Sequence, residues 1–288
     1  RDDEKRGSLA WTTTLNYARN RNRVLELGGI DRMFATSTNS DIKSAGSMVQ
    51  VGQPIGVFYG YVSAGLFRDA QTLAEWRRMT RYPTGSQPGL GNPILVDVGG
   101  AVDGGPDGVI DANDRTIIGD PNPDFTAGWQ NTISFKGFQL NTLLDGSFGG
   151  DILNMNLYRL EGASPSGNVL RERFTDAWSP TNPDGKYQKI GAGTGSFGSD
   201  FTSDLVEDGS FVRLRTITVS RDIPSAWFRG GLSGARAYVT GQNLHTWTKY
   251  SGFNPDVSSL GVGNMNRGID IGAYPLARTW IFGVNLTY

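Results

Sequence analysis

The last ten residues of the chain, TWIFGVNLTY (279–288), alternate between two kinds of side chain. Every second position is large and apolar, and these residues are Trp280, Phe282, Val284, Leu286 and Tyr288. The positions between them are small or polar apart from Ile281. A period of two is the pattern of a β-strand, because successive side chains point to opposite faces of the sheet. The apolar face of such a strand covers either a protein core or lipid.

The same alternation recurs in LAWTTTLNYARN (9–20), FTAGWQNTISF (125–135) and FQLNTLLDGSFGG (138–150). Lys136 and Gly137 form a tight turn between the last two stretches, which predicts a hairpin. Its strands have about the 9 to 11 residues that span a membrane. FVRLRTITVSRDIP (211–224) and ARAYVTGQNLHTWTKY (235–250) also read as strands, but their weaker alternation does not assign their faces.

Composition excludes several classes of protein. The net charge of −1 provides no basic surface for a nucleic acid. No stretch approaches the roughly 18 consecutive apolar residues of a transmembrane helix, whereas alternating barrel strands are compatible with the mean hydropathy of −0.33. The chain contains no cysteine and therefore no disulfide or thiolate metal site. It starts with RDDEKRGSLAW, without Met or a signal sequence, so we expect a fragment.

A connection of about sixty residues separates Gly150 from Ser210. It contains helix-like pieces, DILNMNLYRLEGA (151–163) and NVLRERFTDAW (168–178). Connections longer than about 15 residues are uncommon in compact domains. Outer-membrane barrels have them, because their turns are short on one side and their loops long on the other. We therefore expect residues 151–210 to be extracellular.

The acidic stretch DGGPDGVIDAND (103–114) has the spacing of an EF-hand type calcium loop. The first, fifth, seventh, ninth and twelfth positions are Asp103, Asp107, Val109, Asp111 and Asp114. Gly108 occupies the sixth position, which requires glycine. Gly105 offers no side-chain oxygen at the third, and Asp114 is shorter than the usual glutamate, so the predicted site is weak. The alternative is an Asp/Gly/Pro-rich turn without a metal.

Other motifs give no catalytic site. His245 is the only histidine, so no pair of imidazoles can bind zinc. GVGNMNRG (261–268) resembles a phosphate-binding glycine loop, but no strand and helix flank it in the required order. We predict that the chain is not an enzyme.

Alternation alone does not distinguish lipid from a protein core, because a soluble β-sandwich shows the same pattern. Sandwich strands are typically about 5 or 6 residues long. The strands of this chain are nearly twice that length and carry aromatic residues near their ends, as barrel strands do. We therefore expect lipid on the apolar face. A soluble calcium-binding β-sandwich or adhesin, and a carbohydrate-active enzyme domain, are the alternatives.

Five stretches together resemble the C-terminal part of SusC/RagA-type TonB-dependent transporters. They are GQPIGVFYGYVSAGLF (52–67), DGVIDANDRTIIGDPNPDFTAGWQNTISFKGFQL (107–140), DAWSPTNPDGKY (176–187), GQNLHTWTKYSGFNPDV (241–257) and YPLARTWIFGVNLTY (274–288). The resemblance implies an all-β fold, an antiparallel transmembrane β-barrel whose long extracellular loops carry short helices. Residues 1–288 would be the C-terminal portion of that barrel, with the plug domain absent from this chain.

The resemblance also implies a role and partners. It implies TonB-dependent import of oligosaccharides or peptides across the outer membrane of a Gram-negative-type bacterium. The partners would be outer-membrane lipid, a SusD-like surface lipoprotein that meets residues 151–210, and TonB through the missing N-terminal region. The terminal strand, ending at Tyr288, resembles the signal read during outer-membrane assembly. At the third position of the acidic stretch, where this chain has Gly105, the family usually has Asn or Asp, so this difference bears on metal binding.

Overall fold

The computed structural model describes residues 9–34, 46–83, 87–160, 168–190, 201–228, 231–259 and 263–288. The strands are β1 (Ala10–Ala18), β2 (Arg32–Phe34), β3 (Ser47–Gln50), β4 (Val57–Gly60), β5 (Ser63–Leu66), β6 (Pro93–Leu95), β7 (Thr116–Gly119), β8 (Phe125–Phe135), β9 (Phe138–Phe148), β10 (Asp151–Asn154), β11 (Val206–Asp208), β12 (Phe211–Ile223), β13 (Gly234–Thr248), β14 (Ile269–Asp270) and β15 (Thr279–Thr287). The α-helices are α1 (Ala70–Met79), α2 (Met155–Leu160) and α3 (Arg171–Thr175). Within the described ranges, no helix is long and apolar enough to cross a membrane.

The largest sheet has six antiparallel strands in the order β1-β8-β9-β12-β13-β15. The predicted hairpin is confirmed, since β8 and β9 pair along their whole length. Lys136 and Gly137 both have positive φ, 48° and 79°. Such a two-residue turn matches the right-handed twist of the strands that it joins.

The connections differ sharply between the two ends of this sheet. We call the end of the sheet that carries the turn at Lys136 and Gly137 the lower end, and the opposite end the upper end. At the lower end, two residues join β8 to β9, and residues 224–233 join β12 to β13. Residues 19–124, 149–210 and 249–278 make the three connections at the upper end. This asymmetry is the arrangement that outer-membrane barrels show. The all-β class with short helices in long connections is confirmed.

Two irregularities explain the weak alternation of β12 and β13. Leu214 pairs with Leu144 of β9, but Thr216 pairs with Leu143, so Arg215 is an extra residue in β12. In β13 the register also shifts, at Asn243, whose φ is +52°. An extra residue in a strand shifts the alternation of the sequence by one position. Apolar and polar side chains still lie on opposite faces of the sheet, but the sequence no longer shows a regular period of two.

The upper connections pack together into one unit, which we call the outer body. It contains the small sheets β2-β3-β4-β7, β11-β10-β14 and β5-β6. Its central core is formed by Phe58, Leu153, Met155, Phe201 and Ile269. A second cluster of Tyr61, Tyr82, Leu95 and Ile110 packs against Trp76 of α1. The outer body is therefore built like a water-soluble domain, with buried apolar side chains.

One helix-like prediction is wrong in its first turn. Residues 151–154 form β10 rather than helix, and α2 begins only at Met155. Leu153 pairs with Val206 on one side and with Ile269 on the other. This burial between two strands overrides the local helical preference, because β-pairing with distant residues is invisible to a local pattern.

Candidate functional site

The outer side of the six-stranded sheet is a continuous apolar face. One row across all six strands contains Trp11, Ile133, Leu140, Val219, Val239 and Phe282, in register. The side chains of this face are largely exposed, with Leu15 at 74% and Phe282 at 73%. Within the described chain, no second sheet or helix packs on this face. It therefore lacks the covering layer that a β-sandwich requires.

Aromatic residues mark both ends of the apolar face. At the upper end Phe125 lies between Tyr17 and Phe148, with ring centroids 5.4 and 4.7 Å away. Phe135 and Phe138 face each other at the lower turn. Ten steps of about 3.3 Å along a strand tilted by about 40° span about 25 Å. This is the height of the apolar band of outer-membrane barrels.

Two polar side chains on the apolar face, those of Asn131 and Thr13, are hydrogen-bonded to tryptophans. The indole Nε1 of Trp11 donates a hydrogen bond to Asn131 Oδ1 at 3.1 Å. That of Trp129 donates to Thr13 Oγ1 at 2.8 Å. An unsatisfied polar group in hydrocarbon costs several kcal/mol. These bonds let four polar groups lie on a surface that is otherwise suited to lipid.

The inner face is polar at the same height. Thr12, Thr132, Asn141, Thr218, Thr240 and Ile281 form a row across the six strands. Thr132 donates to Asn141 at 2.7 Å, and the hydroxyls of Thr218 and Thr240 are 2.9 Å apart. Ion pairs join Arg236 to Asp222 at 2.6 Å and Arg215 to Asp145 at 3.3 Å. The inner face is thus suited to contact with water.

The terminal strand has the two faces that its sequence predicts. Trp280, Phe282, Val284 and Leu286 pair with Gly241, Val239, Ala237 and Ala235 on the apolar face. Tyr288 follows the strand and is 87% exposed. Ile281, opposite Thr240, is the one large apolar side chain that β15 directs inward. Contact of lipid with the five apolar side chains, those of Trp280, Phe282, Val284, Leu286 and Tyr288, stays a prediction.

A cavity of about 360 Å³ opens at the upper end of the inner face. Asn16, Thr126 and Ser147 from the strands line it together with Asp145. Asp256 and Arg267 of the outer body complete its wall. Tyr17, Ala127 and Phe211 also line it, so apolar groups share this space with hydroxyl, amide and charged groups. A mixed lining of this kind is typical of ligand sites.

The acidic loop is closed by its own hydrogen bonds. The side chain of Asp114 is fully buried. Its Oδ1 accepts from the backbone N–H of Val98 and Gly99 at 2.9 and 3.2 Å, and its Oδ2 from Asp111 N at 2.7 Å. Asp114 and Asp111 form a reciprocal capping box around residues 112–114. Asp114 thus acts as an acceptor for three backbone donors.

The other acidic side chains also face nearby backbone donors. Asp103 accepts from Gly105 N at 3.1 Å, Asp107 from Val109 N at 2.8 Å and Asp111 from Asn113 N at 2.7 Å. Among the residues that the structure describes, no three His, Cys, Asp or Glu side chains are grouped so as to hold a metal ion. The turn without a metal accounts for this geometry, and calcium binding stays a prediction. Sequence reasoning missed Asp97, which accepts from Asp107 N at 3.2 Å and Gly108 N at 2.6 Å.

Trp178 anchors one upper connection to another. Its indole is 5% exposed and donates to the carbonyl of Arg68 at 3.3 Å. Arg68 in turn donates to the carbonyl of Gly185 at 3.1 Å. A Cβ on Gly91 would overlap the Trp178 ring, so only glycine allows this close approach. Gly195, which also belongs to the predicted extracellular segment 151–210, lies outside the described residues.

Three ionisable groups of the outer body have pKa values that their surroundings shift. The Tyr250 hydroxyl donates to Asp270 Oδ2 at 2.5 Å. Burial, followed by this hydrogen bond, raises the pKa of Tyr250. Burial likewise raises the pKa of Asp151, whose Oδ2 accepts from Asp120 N at 2.8 Å. A side-chain hydrogen bond from Ser210 lowers the pKa of Asp208.

Comparison with known proteins identifies relatives of this architecture. No protein-family model matches the chain. TonB-dependent receptor P3 of Formosa agariphila is 33% identical over 287 residues, which cover 97% of this chain and 27% of that protein. TonB-dependent receptor SusC of Bacteroides thetaiotaomicron is 28% identical over 191 residues, 65% of this chain and 17% of that protein.

Solved structures show the same fold. A structure of the RagAB peptide transporter matches with a TM-score of 0.72 at 22% identity, over 96% of this chain and 27% of that one. The RagAB peptide importer in its closed-closed state matches with a TM-score of 0.70, also at 22% identity. The two-sided sheet therefore has the fold of a segment of these solved structures.

The chain spans about a quarter of the length of the receptor P3 that it matches. It belongs to the SusC/RagA type of TonB-dependent receptors. The relatives are named as receptors and transporters rather than as enzymes.

Proposed function

We propose that residues 1–288 are the C-terminal portion of the β-barrel of an outer-membrane active transporter, whose plug domain lies outside this chain. The observation that carries the proposal is the two-sidedness of the large sheet. The row from Trp11 to Phe282 is apolar in all six strands, whereas five of the six residues in the row from Thr12 to Ile281 are polar. Lipid on the first face and water on the second fit this arrangement.

The transported solute is an oligosaccharide or a peptide, taken up with energy supplied through TonB. The charged side chains of Asp145, Asp256 and Arg267 in the cavity below the outer body support a solute with hydrogen-bonding groups. The RagAB structures are described as peptide transporters, and this supports the peptide alternative by analogy. TonB would act through the region that corresponds to the plug.

The second proposed partner is a SusD-like lipoprotein on the cell surface. The described parts of this segment, residues 151–160, 168–190 and 201–210, lie at the end of the sheet opposite the tight turn at Lys136 and Gly137. In this segment Phe174 of α3 is 67% exposed. An exposed aromatic side chain on an extracellular surface is a good anchor for a protein partner. We therefore place the lipoprotein against α3.

A soluble calcium-binding sandwich or adhesin is the competing function. The hydrogen-bonded acidic loop is compatible with it, but the uncovered apolar face is not. A carbohydrate-active enzyme domain would need a pair of catalytic side chains. No described feature of the inner cavity supplies a nucleophile and a base in contact.

The test is the orientation of the full-length protein in intact cells. A single cysteine is placed at Asp184, an exposed position in the outer body, or at Lys136 in the tight turn. An impermeant maleimide should label Asp184→Cys in intact cells and Lys136→Cys only after lysis. Equal labelling of both in intact cells, or the reverse order, would contradict the proposal.

The lipoprotein is tested by copurification. Phe174→Asp should reduce the amount of lipoprotein recovered with the full-length transporter in detergent. Met79→Asp is the matched control, because Met79 is similarly exposed, at 72%, but lies on α1. Uptake of labelled peptides and of labelled oligosaccharides then separates the two solute classes. Equal lipoprotein recovery with both variants would remove α3 from the interface.

A further inference from the structure

Two cations lie at the lower rim of the apolar face. Arg221 pairs in register with Phe138 and Ala237, so its side chain is on the apolar face. Its guanidinium lies 4.6 Å from the centroid of the Phe138 ring. The amine of Lys136 lies 5.2 Å from the centroid of the Phe135 ring. Each cation thus rests over one of the two aromatic rings beside the tight turn.

A backbone hydrogen bond joins the two segments that carry these cations. The backbone N–H of Asp222 donates to the carbonyl of Gly137 at 2.9 Å, which ties the turn to the residue after Arg221. Within the described residues, the side chains of Arg221 and Lys136 form no hydrogen bond and no ion pair. The adjacent carboxylate, Asp222, is bound by Arg236 at 2.6 and 3.3 Å. The positive charge of the rim is therefore left without an anion from this part of the chain.

Their depth on the sheet agrees with a position at a membrane interface. Charged side chains are tolerated on a lipid face near its edge, where a long side chain reaches the headgroups while its methylenes stay on apolar surface. Trp227, in the connection of β12 to β13 at the same end, is 72% exposed. Tryptophan is enriched where hydrocarbon meets headgroups.

We propose that Arg221 and Lys136 bind the phosphate of a phospholipid headgroup, while Phe135 and Phe138 contact the first methylenes of its acyl chains. Guanidinium matches phosphate through paired N–H donors, and the amine adds a second positive charge. A headgroup supplies the anion that the rim lacks. This inference rests on the proposed membrane position of the sheet.

The test uses the full-length protein purified in detergent. It is titrated with dioleoyl phosphatidylglycerol, and the retained lipid is counted by native mass spectrometry. Arg221→Gln and Lys136→Gln should each weaken retention about fivefold, the effect of one cation near an anionic membrane surface. The double variant should lose about 25-fold if the two effects add. Arg78→Gln, at an exposed position on α1, removes the same charge and should change nothing.

Two competitors separate the sources of the anion. Dioleoylglycerol has the same acyl chains without phosphate, and inorganic phosphate has the anion without the chains. Neither, at matched concentration, should displace phosphatidylglycerol. Displacement by either one, or full retention in the double variant, would overturn the proposal.

The inserted fraction is measured in parallel from the heat-modifiable band. Wild-type protein that does not insert into membranes would contradict the proposed function on which this site depends. Variants that insert normally and still retain the lipid would contradict the phosphate site alone.

Discussion

The ring of Tyr238 lies directly over Gly283, its partner across the ladder of β13 and β15. A Cβ added to Gly283 would overlap the Tyr238 ring. Because Gly283 has no side chain, the Tyr238 ring covers its backbone on the inner face of the sheet. Aromatic side chains are known to compensate in this way for glycine in a strand.

We expect Gly283→Ala to destabilise this edge of the sheet by about 1 to 3 kcal/mol, the usual cost of overpacking. The measurement is the temperature at which full-length protein in detergent loses its folded, heat-modifiable band. Gly234→Ala is the matched control, since nothing lies within 4 Å of a Cβ added there. Adding Tyr238→Ala to Gly283→Ala should recover part of the loss, and simple additivity of the two changes would refute this coupling.

Phe282 and Ile281 are adjacent residues on opposite faces, so they test the orientation of β15 at one depth. Phe282→Arg should destabilise the inserted barrel by about 2 to 4 kcal/mol near the membrane midplane. Ile281→Arg should have a much smaller effect, because its side chain meets the polar inner face opposite Thr240. Equilibrium unfolding in lipid vesicles gives both values. A larger effect of Ile281→Arg would reverse the two faces.

Asn285 is a poorer site for such a charge. It lies directly opposite Arg236, so an arginine there would face a like charge. We therefore expect Asn285→Asp to be tolerated better than Asn285→Arg, in the same unfolding assay. Equal effects of the two would show that the ion pair of Arg236 with Asp222 already neutralises this position.

The acidic loop makes a prediction about Asp114. Asp114→Asn replaces one of the two oxygens that accept backbone donors by an amide that cannot accept, leaving buried N–H groups unpaired. We expect a local loss of about 1 to 3 kcal/mol, seen as faster proteolysis near Asp107. Asp103→Asn, at an exposed position with a single such bond, should change the rate little.

Calcium binding predicts an additional result with the wild-type loop. Four carboxylates gathered around a cation would repel one another once it is removed. Chelation should therefore increase cleavage near Asp107 relative to millimolar calcium. Equal cleavage in the two conditions would leave the backbone hydrogen bonds as the whole support of the loop.

Asp151 gives a pH dependence of opposite sign to that of a stabilising carboxylate. Its pKa is raised above the ordinary 3.8, chiefly by burial. The ionised group therefore destabilises the folded state, and this penalty appears as the pH rises through the raised pKa. Asp151→Asn should raise the thermal midpoint of the full-length protein at pH 7, with the gain vanishing below about pH 4. A gain that persisted unchanged at low pH would exclude titration of Asp151 as its cause.

The sequence predicts the regular part of the sheet well. The hairpin of β8 and β9 follows from strict alternation on both sides of a two-residue turn, which is a local signal. The faces of β12 and β13 could not be assigned, because the extra residue Arg215 and the irregularity at Asn243 interrupt the period. Leu214 and Ile217 lie on the same face although they are three positions apart along the chain, an odd number that would put them on opposite faces of a regular strand.

The acidic loop shows a different limit of sequence reasoning. Spacing places Asp107, Asp111 and Asp114 near one another, but it does not determine whether they face a cation or backbone N–H groups. Asp97 could not be found from the loop motif, because it comes before the twelve residues that define it. Arg221 could be placed on the apolar face only once the register with Phe138 was known.

The chain contains two apolar regions that depend on different solvents. The hydrophobic effect in water stabilises the core around Phe58 and Leu153, so urea should weaken this core directly. With the sheet in the proposed membrane position, amphiphile covers the face around Val219, so we expect the choice of detergent to govern its stability. The pairing of Leu153 with Ile269 joins residues more than one hundred positions apart. Such non-local contacts carry a large loop-closure entropy. We therefore expect the outer body to complete its packing last, only after the strands of the large sheet have paired in their final register.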